Sequence, residues 1–194
     1  MTRLALLRHG PTEWNRAGRI QGRTDIPLDP QAARDLSALC LPPGWATARL
    51  WSSPLHRAAE TAKLVARRDP EVSDALIEMD WGGWEGKKGA DLRADPESGF
   101  RDIEAWGWKY QPPGGESPGA LRDRLVPWRD GLEGDNIAVC HIGVMRVLMA
   151  LATGWDFSGP APFRVKRNRL FVLERAADQW RLAPEPVRLP ARAP

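Results

Sequence analysis

Two of the chain's three histidines follow short apolar runs. His9 comes after Leu4 to Leu7, and His141 after Asn136 to Cys140. A neutral imidazole nitrogen can attack phosphorus and later leave it. Arg8, beside His9, can set a planar fork of donors on a phosphate. Gly10 lets the backbone turn sharply and approach a ligand closely. Arg57 follows Ser53-Pro54, a pair that predicts a helix start, and so falls in the first helical turn. A cation there opposes the helix dipole, which suggests that Arg57 and the helix end both face an anion. Glu78 has apolar neighbours, then Trp81, Trp84 and three glycines. Such surroundings raise a carboxyl pKa and suit a general acid. On spacing alone, Asp80 and Glu85 compete for that role. His141 can donate a hydrogen bond to a phosphoryl oxygen. A metal site is the rival use for two histidines. No cluster of ligands has metal spacing, however, and neither Cys40 nor Cys140 lies in a CxxC motif.

These residues need elements to hold them. Leu4 to Leu7, Arg49 to Trp51 and Asn136 to Cys140 read as short buried strands. Asp29-Pro30, Ser53-Pro54 and Ser117-Pro118 each read as an N-cap followed by proline in the first turn. The second predicts a helix through about Arg67 with Leu55, Ala58, Ala62 and Val65 on its apolar face. In the third, Pro127 should kink or split the helix. A further helix is expected from Val144 to Ala152, closed by Gly154. Leu170 to Leu173 and Gln179 to Leu182 read as an antiparallel pair. Strands alternating with helices imply an α/β fold with a mostly parallel sheet, whose ligands bind beyond the carboxyl ends of the strands. Both His9 and His141 fall there, whereas His56 falls inside a helix.

The 194 residues fit a single domain spanning 1–194, with a loose Pro/Arg-rich tail over 183–194. A net charge of +3 is too small to argue for nucleic acid or membrane as a partner. No basic stripe with interleaved aromatics appears either. The longest apolar stretch, Ile137 to Trp155, is interrupted by His141 and Arg146, which argues against a membrane span. The start of the chain lacks the small-residue cleavage site of a signal peptide. Two cysteines in apolar settings point to buried thiols in a reducing compartment, and so to a cytoplasmic protein. Of the 28 basic residues, 23 are arginine, the side chain suited to phosphate and carboxylate.

The motifs RHGPTEWN at 8–15, QGRTDIPL at 21–28, SSPLHRAAETA at 52–62, EMDWGGWEG at 78–86, GGES at 114–117 and CHIGVMR at 140–146 occur in this order. In order and spacing the chain resembles the histidine phosphatase superfamily, also called phosphoglycerate mutase-like, over nearly its whole length. The resemblance implies an α/β/α sandwich and a site that needs no metal or other cofactor. It implies His9 as the phosphorylated nucleophile. Arg8, Arg57 and His141 would cradle the phosphoryl group, with Asn15 as a further partner. Glu78 would be the acid/base. Gln21 and Gly22 would bind substrate, and Glu116 and Ser117 would sit near the mouth. His9 must be neutral to attack, while His141 serves best when charged. Ile142, where glycine is common in relatives, should narrow the pocket.

Phosphatases and mutases share this core. The mutases of the family carry longer insertions that exclude water, and here only residues 79–114 offer room for a lid. A phosphatase acting on small phosphomonoesters is therefore expected. The alternatives are mutase-type transfer and a catalytically inactive phosphate-binding module. Substrate identity and oligomeric state are not readable from these residues.

Overall fold

The computed structural model describes residues 1–177 and 179–193. Seven strands form one sheet: β1 (Thr2–Arg8), β2 (Arg49–Ser52), β3 (Glu71–Val72), β4 (Asp135–Cys140), β5 (Arg169–Ala176), β6 (Gln179–Leu182) and β7 (Val187–Arg188). The order across the sheet is β3-β2-β4-β1-β5-β6, with β7 also paired to β5. β1, β2, β3 and β4 are mutually parallel, and every antiparallel pairing involves β5. The sheet is thus mostly parallel, as the alternation of strands and helices predicts.

Side chains alternate across a strand, so β1 serves two cores. Leu4 and Leu6 face one side, with Ala138, Cys140, Phe171 and Leu173. Ala5 and Leu7 face the other, with Ile137, Val139, Leu170 and Val172. The first face is covered by α5 (Pro118–Asp130) through Leu121 and Leu125, and by α6 (Ile142–Thr153) through Val144, Met145 and Leu148. The second is covered by α2 (Pro30–Ser37) through Leu36, and by α3 (His56–Ala66) through Ala58, Ala62 and Val65. This is a three-layer α/β/α sandwich. Two shorter helices, α1 (Glu13–Arg16) and α4 (Gly89–Ala94), sit in the connections. No helix among the described residues is long and apolar enough to cross a membrane.

Two of the three predicted caps form as read. Asp29 accepts from the amides of Gln31 and Ala32, and Ser117 from that of Ala120. Ser53 does not cap α3, which starts only at His56. The Ser53 hydroxyl lies 2.7 Å from His141 Nε2 instead. Asp25, from a distant loop, takes the cap's place and accepts from the His56 amide at 2.9 and 3.0 Å. α5 is not split at Pro127. Pro127 and Asp123, one turn before it, both lie on the exposed side, where water can satisfy the carbonyl that proline leaves unpaired.

The tail is not loose over 183–193, contrary to what its composition suggests. β7 pairs with β5, and Leu189 is buried in the second core. Arg192 donates to the carbonyls of Ser37, Leu39, Leu64 and Val65, closing the C-terminal ends of α2 and α3. Those carbonyls have no partner within their helices, and a guanidinium also suits the negative end of the helix dipole. Arg192→Ala should therefore destabilise the protein by about 1–2 kcal/mol. Thermal unfolding would show this as a Tm lowered by about 2–4 °C per kcal/mol.

Candidate active site

The register of the parallel strands assembles the site. Arg8 pairs with Cys140, and Ser52 with Val139, so β1, β4 and β2 end together. The pairing continues one residue beyond each end. The His9 amide donates to the Cys140 carbonyl at 2.9 Å, and the Ser53 amide to Val139 at 3.1 Å. His9 and His141 are thereby brought side by side, with ring centroids 5.1 Å apart. A pocket of about 160 Å³ opens beside His9, lined also by Arg8, Asn15, Gln21 and Glu78, while the wholly buried Arg57 and His141 do not line it.

His9 Nδ1 lies 2.6 Å from the Gly10 carbonyl oxygen. A carbonyl only accepts, so Nδ1 carries the proton. The lone pair of a neutral ring then sits on Nε2. Burial holds His9 well below its ordinary pKa, and the positive charges of Arg57, Arg8 and Arg167 push the same way. His9 is thus neutral, in the tautomer that leaves Nε2 free to attack. Gly10 is held by its amide's bond to the Thr61 hydroxyl of α3, at 3.0 Å.

Arg57 is wholly buried. Its two terminal nitrogens donate to the carbonyls of Gly22 (2.6 Å) and Thr24 (3.0 Å). Gly22 therefore acts on Arg57 rather than lining the pocket. Burial lowers the pKa of Arg57, and burial with the neighbouring Arg167 lowers that of Arg8 to about 9. Both directions mark a site short of negative charge.

His141 differs from the expectation of a charged ring. Burial pushes it well below its ordinary value, and His9, Arg57 and Arg8 reinforce the shift. A dianion among these groups would reverse that sign. Among the described residues, five buried side-chain nitrogens lack a hydrogen-bond partner. Four of them belong here: Arg8 Nε, Gln21 Nε2, Arg57 Nε and His141 Nδ1. Three of these, on Arg8, Gln21 and Arg57, are obligate donors, and unmet donors at this density suit a ligand with several anionic oxygens.

Glu78 is buried, and burial raises its pKa despite amide bonds from Met79 and Gly143 and the charges of Arg57 and Arg8. Its Oε1 accepts from Met79 N at 2.8 Å, and its Oε2 from Gly143 N at 3.1 Å. Its rivals are occupied elsewhere. Burial pushes Glu85 upward, but bonds from the Thr24 hydroxyl and the amides of Arg23, Thr24 and Trp81 outweigh it and hold this carboxyl low. Asp80 accepts from the Gly82 amide and pairs with Arg23.

Asn15 lines the pocket, and its Oδ1 accepts from the Thr12 amide and from Arg167 at 2.9 Å. Gln21 receives the Thr12 hydroxyl at 2.8 Å. Glu116 and Ser117 do not line the pocket. Glu116 grips Arg124, whose guanidinium also holds the carbonyls of Ala75, Ile77 and Glu78, and Ser117 caps α5. The structure adds Arg19, Ile20 and Trp81 to the lining, puts Ile142 there as expected, and sets Arg167 behind His9. Arg167 sits in a run of basic residues with no spacing signal to single it out. Only the return of the chain into β5 brings it here. Among the described residues, no group of three or more His, Cys, Asp or Glu could hold a metal.

The model of the histidine phosphatase superfamily (branch 1) matches residues 4–184. A bifunctional protein of Mycobacterium tuberculosis is 37% identical over 162 residues, covering 78% of this chain. The chain spans only 44% of that relative's length. A metal-independent phosphoserine phosphatase of Arabidopsis thaliana is 34% identical over 82% of this chain and 72% of its own. The crystal structure of a phosphoglycerate mutase from Thermus thermophilus superposes with a TM-score of 0.70 at 29% identity, covering 98% of this chain and 99% of that one.

Two outcomes follow from this geometry. A Cβ on Gly143 would collide with Glu78 Oε1. Gly143→Ala should displace that carboxyl and lower turnover by about 10²-fold or more, the range for a lost acid, while circular dichroism shows the fold retained. Binding of sulfate, a dianion that carries no titrating proton of its own near pH 6, should also take up a proton at His141. Calorimetry in buffers of different ionisation enthalpy would show the uptake, and His141→Gln would abolish it.

Proposed function

Because the chain belongs to the histidine phosphatase superfamily, we propose that it hydrolyses small phosphomonoesters through a phosphohistidine on His9. The observation that carries this reading is the set of unmatched donors of Arg8, Gln21 and Arg57 around a histidine whose Nδ1 is locked by a carbonyl. Nε2 of His9 attacks the phosphorus in line with the departing oxygen. Arg8, Arg57 and His141 stabilise the charge on the phosphoryl oxygens, and Asn15 and Gln21 stand at the rim. Positioning and charge do most of the work in such a transfer. An alkoxide leaves poorly, so Glu78 gives it a proton. In the second half-reaction Glu78 takes a proton from water, which attacks the phosphohistidine. His9 regains its lone pair, and inorganic phosphate departs.

Access for that water favours a phosphatase over a mutase. Within 79–114, most of the aromatic residues pack on one another. Trp84 contacts Phe100 and Tyr110, and Trp106 contacts Tyr110 and Trp81. From this whole segment, only Trp81 lines the pocket. The mutase reading draws on the likeness to the Thermus enzyme. Incubation with 3-phosphoglycerate, with and without 2,3-bisphosphoglycerate, separates the two: free phosphate marks a phosphatase, and isomerised product a mutase. The free thiols Cys40 and Cys140 suit a reducing cytoplasm.

His9→Ala should abolish both turnover and an acid-labile phosphoenzyme. Retention of either defeats the mechanism. Glu78→Gln should slow alkyl phosphates by about 10²- to 10⁴-fold and p-nitrophenyl phosphate far less, since that leaving group needs no proton. The pH profile has a sign. Glu78 is raised and must be protonated, so the alkyl phosphate rate falls as pH rises through its pKa. His9 is lowered and must be neutral, so activity persists below the usual histidine range. A metal chelator should leave the rate unchanged.

A further inference from the structure

Ile142 lines the His9 pocket, and it also lines a second cleft of about 390 Å³. Residues four apart share a helix face, and Arg146 stands in this second cleft one turn further along α6. Trp155 and Phe163 make its wall, meeting edge to face with ring centroids 5.6 Å apart. Glu104 and Arg164 line it too and are exposed.

Arg146 takes no part in the phosphoryl site described above. Burial lowers its pKa, while Glu78 and Glu104 act on it only from beyond ion-pair distance. Among the described residues it has neither a hydrogen bond nor an ion pair. It is partly exposed and lines the cleft, so its guanidinium can take a ligand's anion there without first giving up a carboxylate partner. Ile142, shared by both linings, sets the cleft beside the pocket that Glu78 lines.

We propose that this cleft receives the leaving group of the substrate, and that Arg146 selects phosphomonoesters whose flat apolar body carries a carboxylate. The inference rests on the phosphatase reading and adds the substrate class. The aromatic corner suits a ring, and a cleft of this size accepts far more than a three-carbon acid. Two arginines against one glutamate leave a single net positive charge. That balance suits a monoanion, and Glu104 would repel a second negative charge.

The test compares kcat/KM for 4-carboxyphenyl phosphate and phenyl phosphate, whose leaving groups are similar in reactivity. The wild-type protein should prefer the carboxylated ester by about tenfold. Arg146→Met should bring the ratio to within about twofold of one, and Arg146→Lys should restore part of it. Glu104→Gln, on an exposed side chain, should widen the preference. A wild-type ratio near one, a ratio unmoved by Arg146→Met, or a ratio not raised by Glu104→Gln would overturn the proposal. Calorimetric binding of both esters to the His9→Ala protein separates the two readings. A preference there without wild-type turnover would mean that the phosphatase reading failed and the cleft stands. Turnover of both esters without preference would mean the reverse.

Discussion

The structure turns on clustered positive charge that carboxylates only partly offset, with Asp25 at 3.9 Å from Arg57 as its one ion pair among the described residues. Arg8, Arg57 and Arg167 crowd beneath the carboxyl ends of β1 and β4, with His9 and His141 among them. The nearest buried carboxyl is Glu78, and burial favours its neutral form. Like charges at this density repel strongly where water is scarce. Two of the three guanidiniums are held by backbone oxygens, Arg57 by Gly22 and Thr24 and Arg167 by His9, whereas Arg8 Nε has no partner among the described residues. Carbonyls orient an arginine without cancelling its charge, so the site stays complementary to an anion.

The loops follow from that requirement. The 18–25 loop must return to the sheet to present its carbonyls to Arg57. Glu85 fastens it through the amides of Arg23 and Thr24. Arg124 draws the 75–78 segment against α5 through three carbonyls, and Glu116 braces Arg124. Asp25 then closes the open end of α3. Carboxylates that resemble site residues in the sequence thus hold the frame, at one remove from the pocket. The same separation of duties sets Glu78 apart. Two amides fix its orientation, while burial raises its pKa and so favours the protonated form.

Much of this was legible in the sequence because it is local. The apolar runs before His9 and His141 specify buried strands, and a residue directly after a parallel strand lies at the ligand edge whatever the remaining topology. Cap and proline signals located α2 and α5 for the same reason, since a cap bonds amides two or three residues away. The α3 cap was misread because its partner is Asp25, 31 residues earlier in the chain. Arg192 was hidden likewise: composition describes a Pro/Arg-rich segment, but not the four helix-end carbonyls awaiting it.

The sequence by itself therefore determined the fold class, the strand-end positions of His9 and His141, and a set of residue types fit for phosphoryl chemistry. Tertiary structure decided protonation and division of labour. Burial first, and Arg57 and Arg8 beside it, favour the neutral form of both histidines, and a carbonyl chooses the tautomer of His9. Glu116, Ser117 and Gly22 became supports once their partners arrived. Ile142, an isolated oddity in the chain, became the wall shared by a phosphoryl pocket and a cleft containing Arg146. Short-range bonding and side-chain periodicity can be read along a chain. Desolvation and Coulomb forces depend on distances in space, and those exist only when the chain has closed around them.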